Sequence, residues 1–212
     1  MKTLELFCGT KSFSKVMEKA GHSTYTVDND PSFQPDECLD VLDFAPKEKY
    51  DVLWASPPCE TFSVASIGTH WAGGVPKTDA AMFGLRILDR TIWLISEIKP
   101  MFWCIENPRG MMRKVIEPIF RRYGVVPRRR ITLTYCQYGD TRMKPTDIWT
   151  NIQGWEGRRC KNGDRCHEAA PRGSKTGTQG LKNAKDRGVI PPAVFEEILE
   201  NLNWCWLTQT LK

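Results

Sequence analysis

Short apolar segments alternate with helical patterns through the first half of the chain. Four of these segments have the composition of strands: "KTLELF", "STYTVDND", "YDVLWAS" and "MFWCIENP". Apolar residues recur at helical spacing between them, first in "SFSKVMEKAG" and then from Met82 to Lys99. Strands separated by helices in this way form a parallel sheet that is covered by helices. The pattern therefore predicts an α/β fold with a mostly parallel sheet and helices on both faces.

The pattern changes in the second half of the chain. Short strands are predicted at 130–135 and 147–150, whereas residues 151–187 are rich in Gly, Lys and Arg and lack apolar periodicity, which is typical of a loop or a small insertion. A helical pattern returns in "PPAVFEEILENLNWCW", with Pro192 in the first turn. We predict a core over 1–150, a basic insertion over 151–187 and a C-terminal helix over 188–212 that returns to the core.

Charge is distributed unevenly along the chain. Residues 1–108 carry 10 Lys or Arg and 15 Asp or Glu, whereas residues 109–188 carry 19 Lys or Arg and 7 Asp or Glu. A basic half of this kind is typical either of a protein that binds a polyanion such as nucleic acid or of a solvated basic surface. Charge alone does not separate the two interpretations.

The cysteines and the apolar runs indicate the cellular compartment of the protein. Eight cysteines are scattered through apolar and loop contexts, and no apolar signal region precedes a cleavage site at the start of the chain. We therefore expect a cytoplasmic protein with reduced thiols. No apolar run approaches the ~18 residues that a membrane span needs, so no membrane partner is expected.

Small and acidic residues stand where the predicted strands end, which is the edge of a parallel sheet at which ligands bind. Gly9 follows the first strand, and Asp28 closes the second with a carboxylate that can accept hydrogen bonds from both hydroxyls of a ribose. Asp43, in "DVLDF", is placed to accept from an adenine amine while Phe44 packs on the ring. These residues, in this order, predict a site for an adenosine-containing cofactor.

Cys59 and Glu106 follow the third and fourth predicted strands. A cysteine near a strand end is usually an inert, small apolar residue, but Pro57 and Pro58 hold this thiol on a loop, where it can act as a nucleophile. Partial desolvation would raise the pKa of Glu106 and keep its carboxyl protonated. The protonated acid could donate to the ring nitrogen of a pyrimidine while Cys59 attacks carbon 6, which would make carbon 5 nucleophilic.

These motifs, taken in order, resemble those of the cytosine-C5 DNA methyltransferases over nearly the whole chain. "LELFCG" resembles the first motif of that family, "DND" the ribose-binding acid, "DVLDF" the adenine site, "SPPCETFS" the "PCQxFS" nucleophile loop and "IENPRG" the "ENV" strand. "RRYGVVPRRRITLTYCQYGDTRMKPTDIWTN" resembles the stretch that ends in "YGxPQxRxR", and "RGVIPPAVFEEI" resembles the closing "GNAVPP" segment.

The resemblance implies a Rossmann-like fold and a function. The core over 1–150 would be catalytic and would transfer a methyl group from S-adenosylmethionine to carbon 5 of a cytosine flipped out of DNA. Cys59 would form the covalent adduct, Glu106 would hold the base, and Arg142 would contact the base or the nucleophile loop. The cofactor site would comprise Phe7, Cys8, Gly9, Asp28, Asn29, Asp43, Phe44 and Pro57.

The chain also departs from the family pattern. "GTKS" replaces the glycine-rich turn of the first motif, and Glu60 replaces the usual glutamine. Only residues 151–187 stand in place of the recognition domain, so we expect a much reduced target-recognition region with short or relaxed sequence specificity. We expect a monomer, and a compact enzyme of this kind would suit a mobile element or a virus.

Three cysteines and a histidine raise the question of a metal site. Cys160, Cys166 and His167 lie in the basic insertion, and Cys136 is a candidate fourth ligand for zinc. Their spacing fits no standard zinc pattern, and the adjacent Cys166 and His167 would bind one ion awkwardly. A basic loop that contacts DNA phosphates is the favoured interpretation, so no metal is predicted.

Three other functions stay open on the sequence. Thymidylate synthase-like enzymes also place a cysteine after prolines and attack carbon 6 of a pyrimidine, but they lack the early glycine turn and the ribose-binding acid. An RNA cytosine methyltransferase is compatible with all the motifs. A catalytically inactive DNA-binding relative is disfavoured, because Cys59 and Glu106 are both present.

Overall fold

The structure is a computed structural model in which residues 1–161, 163–168, 181 and 183–210 are described. The predicted insertion over 151–187 therefore lies partly outside the described residues, and its predicted boundaries stay predictions. Within the described part of the chain, no helix has both the length and the apolar character needed to cross a membrane.

Nine strands and six helices are described. The strands are β1 (Lys2–Leu6), β2 (Ser23–Asp28), β3 (Glu37–Cys38), β4 (Val52–Ala55), β5 (Trp71–Ala72), β6 (Val75–Pro76), β7 (Phe102–Pro108), β8 (Arg129–Thr134) and β9 (Pro145–Thr150). The helices are α1 (Ser12–Lys19), α2 (Ile67–His70), α3 (Asp79–Ile98), α4 (Met112–Tyr123), α5 (Ala184–Gly188) and α6 (Pro192–Thr210), with short 3₁₀ helices at Pro31–Phe33 and Tyr135–Tyr138.

Seven strands form one sheet in the order β3-β2-β1-β4-β7-β9-β8, and β5 and β6 form a separate two-stranded sheet. Along the run β3-β2-β1-β4-β7, each strand is parallel to the next. β9 then pairs antiparallel with both β7 and β8. The predicted α/β fold with a mostly parallel sheet is confirmed.

Alternate side chains of the sheet build two separate apolar cores. On β4, Leu53 and Ala55 join the core beneath α3 and α4, whereas Val52 and Trp54 join the core beneath α1 and α6. This period-2 alternation on a strand buried on both sides is what a sheet between two helical layers requires. The prediction of helices on both faces is therefore confirmed.

The C-terminal helix packs beside the first helix on the same face of the sheet. The ring of Phe195 in α6 meets Trp54 edge-on at 4.8 Å between ring centroids, and Phe13 of α1 stacks on the same Trp54 at 5.7 Å. Aromatic pairs at these distances add to the stabilisation that burial supplies. The start of α6 is thus held against β4, the strand that leads into the nucleophile loop.

Candidate active site

The predicted site residues follow strands that end at one edge of the sheet. β1, β2, β4 and β7 are parallel neighbours or next neighbours, so their carboxyl ends point the same way. The loops after these strands are also hydrogen-bonded to each other, since the amide of Cys8 donates to the carbonyl of Val27 at 3.1 Å and that of Ser56 to Leu6 at 3.3 Å. The edge therefore brings Gly9, Asp28, Cys59 and Glu106 into one region.

The turn after β1 has an unusual backbone. Phe7, Gly9 and Lys11 have φ angles of 59°, 46° and 56°, in a left-handed region that is unfavourable for Phe and Lys. Lys11 belongs to the "GTKS" segment, so a side chain stands where the family has a glycine-rich turn. A Cβ added to Gly9 would find no atom within 4 Å, which means that this backbone faces open space at the sheet edge.

Asp28 is fixed by two backbone amides. Its Oδ2 accepts a hydrogen bond from the amide of Gly9 and its Oδ1 from the amide of Asp30, each at 2.9 Å. A carboxylate has about four acceptor positions, so both oxygens keep capacity for further donors. Asn29, beside it, is exposed. The half-buried carboxylate is held in an orientation that suits two ligand hydroxyls.

Glu5 is a site-supporting residue that the sequence reasoning missed. Its carboxylate is 3% exposed and accepts from the amides of Phe13 at 3.3 Å and Ser14 at 2.9 Å, at the start of α1. Burial raises the pKa of Glu5 to about 7, although these hydrogen bonds oppose the shift. The Glu5 side chain connects β1 to the start of α1, next to the strained turn. An acidic residue within the apolar strand "LEL" was the sequence feature that could have predicted this role.

Phe44 does not fit its predicted role. Its ring is 1% exposed and belongs to the core beneath α3 and α4, so it cannot stack on an adenine ring that enters from solvent. Arg90 donates to the Phe44 carbonyl at 2.7 Å, which fixes this segment to α3. The prediction that Phe44 packs on the adenine ring is therefore corrected, because the Phe44 ring is buried in the core.

Asp40 lies nearer the edge than the predicted Asp43. It follows β3, whose Cys38 is paired with Asp28, and the amide of Leu39 donates to the Asp28 carbonyl at 3.0 Å. Asp43 is one turn further along and is exposed. Asp40 is therefore the acid that lies beside the end of β2. The sequence did not single it out, because Asp40 and Asp43 occur in one short acidic stretch.

The nucleophile loop is locked to the end of β7. Pro57 is buried, and its carbonyl accepts from the side-chain amide of Asn107 at 2.9 Å. On the far side of Cys59, the amide of Met111 donates to the Phe62 carbonyl at 2.7 Å. Asn107, next to Glu106 in "IENP", is a second functional position that the sequence reasoning missed.

Glu106 is a buried acid with a specific partner. Its side chain is on β7 with 5% of the residue exposed, and Oε1 accepts a hydrogen bond from the hydroxyl of Tyr135 at 3.2 Å. Burial raises the pKa of Glu106, and the positive charge of Lys144 opposes that shift. The carboxyl is thus biased toward the protonated form.

Cys59 and Glu106 share one electrostatic environment. Burial raises the pKa of the half-buried Cys59 thiol, Lys144 lowers it and the negative charge of Glu106 raises it. Lys144 lies 4.9 Å from the centroid of the Tyr135 ring, so these four side chains form one cluster. The thiol, the acid and a cation therefore stand together.

Arg142 borders this cluster, with its guanidinium 5.8 Å from the centroid of the Tyr135 ring, but its hydrogen bonds go elsewhere. Its guanidinium pairs with Asp140 and is 3% exposed. It also donates to three backbone carbonyls, those of Asp186, Arg187 and Val189. The predicted contact of Arg142 to the base or the nucleophile loop is therefore corrected. Arg142 ties α5 to the loop before β9, and the cation that acts on Cys59 and Glu106 is Lys144.

Comparisons with known proteins agree with this architecture. No family model matches the chain. A protein of Frog virus 3 (isolate Goorha), named "Probable DNA (cytosine-5)-methyltransferase", is 31% identical over 230 aligned residues, which cover 94% of this chain and 99% of that protein.

Two solved structures share the fold at low identity. One is a proposed DNA modification methyltransferase encoded within an E. coli prophage, with a TM-score of 0.55 and 16% identity over 71% of this chain and 46% of that one. The other is the S. pombe Dnmt2 methyltransferase, with a TM-score of 0.51 and 13% identity over 74% of this chain and 52% of that one. The chain spans about half the length of these two solved proteins.

Proposed function

Because the chain belongs to the DNA (cytosine-5)-methyltransferase family, we propose that it methylates carbon 5 of cytosine in DNA through a covalent adduct with Cys59. The observation that carries the proposal is the placement of Cys59 and Glu106 in one cluster with Lys144, at the sheet edge that also holds Asp28. A nucleophilic thiol paired with a proton-bearing acid is what addition to a pyrimidine requires.

The proposed cofactor residues lie at the same edge of the sheet. S-adenosylmethionine supplies an electrophilic methyl group when bound. Its ribose hydroxyls would donate to the oxygens of Asp28, which the amides of Gly9 and Asp30 hold in place. Asp40 is the better candidate to accept from the adenine amine, because it follows β3 beside Asp28.

The other predicted cofactor residues line the approaches to that edge. The open space over Gly9 leaves room for a ligand at the strained turn of Phe7 and Cys8. Asn29 and Pro57 belong to the two loops on either side. We retain these residues in the proposed cofactor site, and Phe44 leaves it.

The first step is addition to the base. The Cys59 thiolate forms a bond to carbon 6, and the electron pair of the C5–C6 double bond shifts to carbon 5, where it is delocalised over C4 and N3. Protonated Glu106 donates to the ring nitrogen N3, which neutralises the charge that would otherwise develop on the ring. Lys144 stabilises the thiolate before the attack, and Tyr135 and Asn107 position Glu106 and the loop.

The second step restores the aromatic base. Carbon 5 would form its bond to the methyl group as the methyl–sulfur bond of the bound cofactor breaks, with that electron pair staying on sulfur, and the carbon-5 proton would then leave to solvent. The electron pair of that C–H bond re-forms the C5–C6 double bond and expels the Cys59 thiolate, while the N3 proton returns to Glu106. The thiolate and the protonated acid are then regenerated for another turnover.

The target base must leave the duplex to reach Cys59. Carbon 6 and N3 of a paired cytosine are enclosed by stacking and pairing, and extrusion of a base costs a few kcal/mol. Cations of the basic half would offset part of that cost through phosphate contacts. We propose short or relaxed sequence specificity, since only residues 151–187 stand in place of a recognition domain. We also propose that the enzyme is a monomer.

Incubation of the full chain with cytosine-containing duplex DNA and methyl-labelled S-adenosylmethionine tests the proposal. We expect 5-methylcytosine after nuclease digestion, and loss of all product in Cys59→Ser. DNA that carries 5-fluorocytosine should form an adduct with the wild type that survives denaturation, because fluorine cannot leave carbon 5 as a proton does. Lys15→Met, which changes an exposed residue on α1, should methylate at the wild-type rate.

Three outcomes would contradict parts of the proposal. Label on the exocyclic amine of cytosine would exclude carbon-5 chemistry. Full activity of Cys59→Ser would exclude the adduct. Methylation of tRNA with none of duplex DNA would assign the enzyme to RNA.

A further inference from the structure

The four residues considered as zinc ligands on the sequence converge in the structure. Cys136 lies in the 3₁₀ helix after β8, whereas Cys160, Cys166 and His167 lie in the basic segment after β9. One sulfur or nitrogen from each of the four lies within 4.8 Å of all the others. Residues separated by up to 31 positions in sequence, from Cys136 to His167, therefore point their donor atoms at one place.

Four of the six distances between the donor atoms lie close to the edges of a tetrahedral zinc site. Zn–S bonds of about 2.3 Å and Zn–N bonds of about 2.0 Å place two sulfurs about 3.7 Å apart and a sulfur and a nitrogen about 3.5 Å apart. The sulfur of Cys136 lies 3.2 Å from that of Cys160 and 3.6 Å from that of Cys166. The Nδ1 atom of His167 lies 3.8 Å from the first of these partners, Cys160, and 3.6 Å from Cys166.

The sulfurs are too far apart for a disulfide. A disulfide needs sulfurs about 2.05 Å apart, and the described cysteines are all free. The sequence predicts that the adjacent Cys166 and His167 would bind one ion awkwardly, but the structure brings their donor atoms to the same place. His167 presents Nδ1, the ring nitrogen nearer the backbone, at 3.6 Å from the Cys166 sulfur.

Additional contacts hold the ligands in place. The side-chain amide of Gln137 donates to the Cys166 sulfur at 3.2 Å, and the amide of Cys160 donates to the Thr134 hydroxyl at 2.8 Å. The amide of Glu168 donates to the Thr141 carbonyl at 2.9 Å. Outer contacts of this kind orient the ligands of structural metal sites.

We propose that Cys136, Cys160, Cys166 and His167 bind one structural zinc ion. Three thiolates and one imidazole form a closed ligand set that favours zinc over the hard cations that prefer oxygen. All four positions are filled by protein, so the ion has no open position for catalysis. Its role is to fasten the basic segment to the 3₁₀ helix.

The proposed zinc site is connected to the proposed active site through Tyr135. Cys136 follows Tyr135, whose hydroxyl donates to Glu106 at 3.2 Å. An ion at Cys136 would therefore fix the position of Tyr135 as well as the segment that stands in place of a recognition domain. This proposal concerns metal binding and holds whether or not the methylated substrate is DNA.

Elemental mass spectrometry of the purified full chain tests the proposal. We expect one zinc ion per chain, and its loss from the double variant Cys160→Ser, Cys166→Ser. The wild type exchanged into Co²⁺ should show thiolate-to-cobalt charge transfer and the strong visible bands of a tetrahedral site. Cys38→Ser, an exposed cysteine outside the cluster, should keep its zinc.

Alkylation of the intact wild type tests the zinc proposal without a variant that must first fold. Cys136, Cys160 and Cys166 should be protected from iodoacetamide until a chelator is added, whereas Cys38 reacts at once. A chain without stoichiometric zinc after purification in zinc-containing buffer would overturn the proposal. So would a Cys136–Cys160 disulfide in the unreduced protein, or equal alkylation of the three cysteines with and without chelator.

Discussion

Lys144 acts on two groups, Cys59 and Glu106, that require opposite protonation states. Cys59 must lose its proton to attack, whereas Glu106 must keep one to donate. Burial raises the pKa of both groups, and the charge of Lys144 opposes the rise at both. The cation therefore favours the thiolate while burial keeps the acid protonated, and the balance between these influences sets the pH range in which the proposed chemistry works.

Replacement of Lys144 by Met should shift the pH dependence of methyl transfer. Without the cation the pKa of Cys59 rises further, so the rising limb of the pH–rate profile should move to higher pH, and the rate near neutral pH should fall about ten-fold for each unit of that shift. Single-turnover rates at saturating DNA, measured from about pH 6 to pH 9, provide the test.

Two further variants separate this effect from a loss of structure or of general charge. Lys144→Arg should keep the limb near its wild-type position, and Lys15→Met, which removes an exposed cation on α1, should leave the profile unchanged. A Lys144→Met profile of unchanged shape and lower height would show that the side chain only supports the fold.

Position in sequence predicted some site residues and not others. Cys59 and Glu106 each follow an apolar strand, so the sheet edge at which they lie could be inferred from the sequence alone. Lys144 and Tyr135 could not, because they reach the edge only through the antiparallel return of β8 and β9 across β7. Phe44 and Arg142 were misassigned because a motif match does not report whether a ring or a guanidinium is buried.

At the scale of elements, the nucleophile loop is set by its contact with the turn after β7. Gly110 is bridged to Ser63, and a Cβ added to Gly110 would lie 2.0 Å from the Phe62 carbonyl oxygen. Backbone atoms rather than a flexible side chain occupy that space. Only glycine permits this close approach, which holds the loop after Cys59 against the β7 end.

Gly110→Ala should displace the loop and impair the enzyme. The clash forces a backbone shift, for which we expect a loss of about 2 kcal/mol in the free energy of unfolding. A misplacement of Cys59 of about 1 Å could lower the single-turnover rate about 100-fold. Denaturant unfolding and single-turnover methylation measure the two effects.

Gly68→Ala is the matched control for that substitution. Gly68 lies in α2, and an added Cβ would find no atom within 4 Å, so both measurements should stay close to wild type. If Gly110→Ala behaved like Gly68→Ala, the proposed close packing of the loop would be wrong.

The elements themselves were predictable to different degrees. The long strands and α3 have clear periodicity, although α3 starts at Asp79, before the predicted Met82, since the Thr78 side chain accepts from the Ala81 amide and caps the helix. β3 has only two residues, too few for any pattern to reveal. The 3₁₀ helix that carries Tyr135 and Cys136 likewise has no periodic signal.

For the whole molecule, the structure divides the basic half into internal and outward charges. Arg113 pairs with the fully buried Asp147, and Arg142 pairs with Asp140, so these two cations hold the fold together. Arg159 and Arg165, which flank the proposed zinc ligands, are exposed. The net charge alone did not make this distinction, because every Lys and Arg counts equally in it.

The exposed cations should carry the salt dependence of DNA binding. Each phosphate contact contributes about −0.9 to the slope of log K against log salt, so Arg159→Gln with Arg165→Gln should reduce that slope by about 2. Lys15→Gln with Lys19→Gln removes the same charge from exposed positions on α1 and should leave the slope unchanged. Fluorescence anisotropy with a labelled duplex at several salt concentrations measures both. If the two pairs lowered the slope equally, binding would follow net charge, and the basic segment would not be the surface that meets the phosphates.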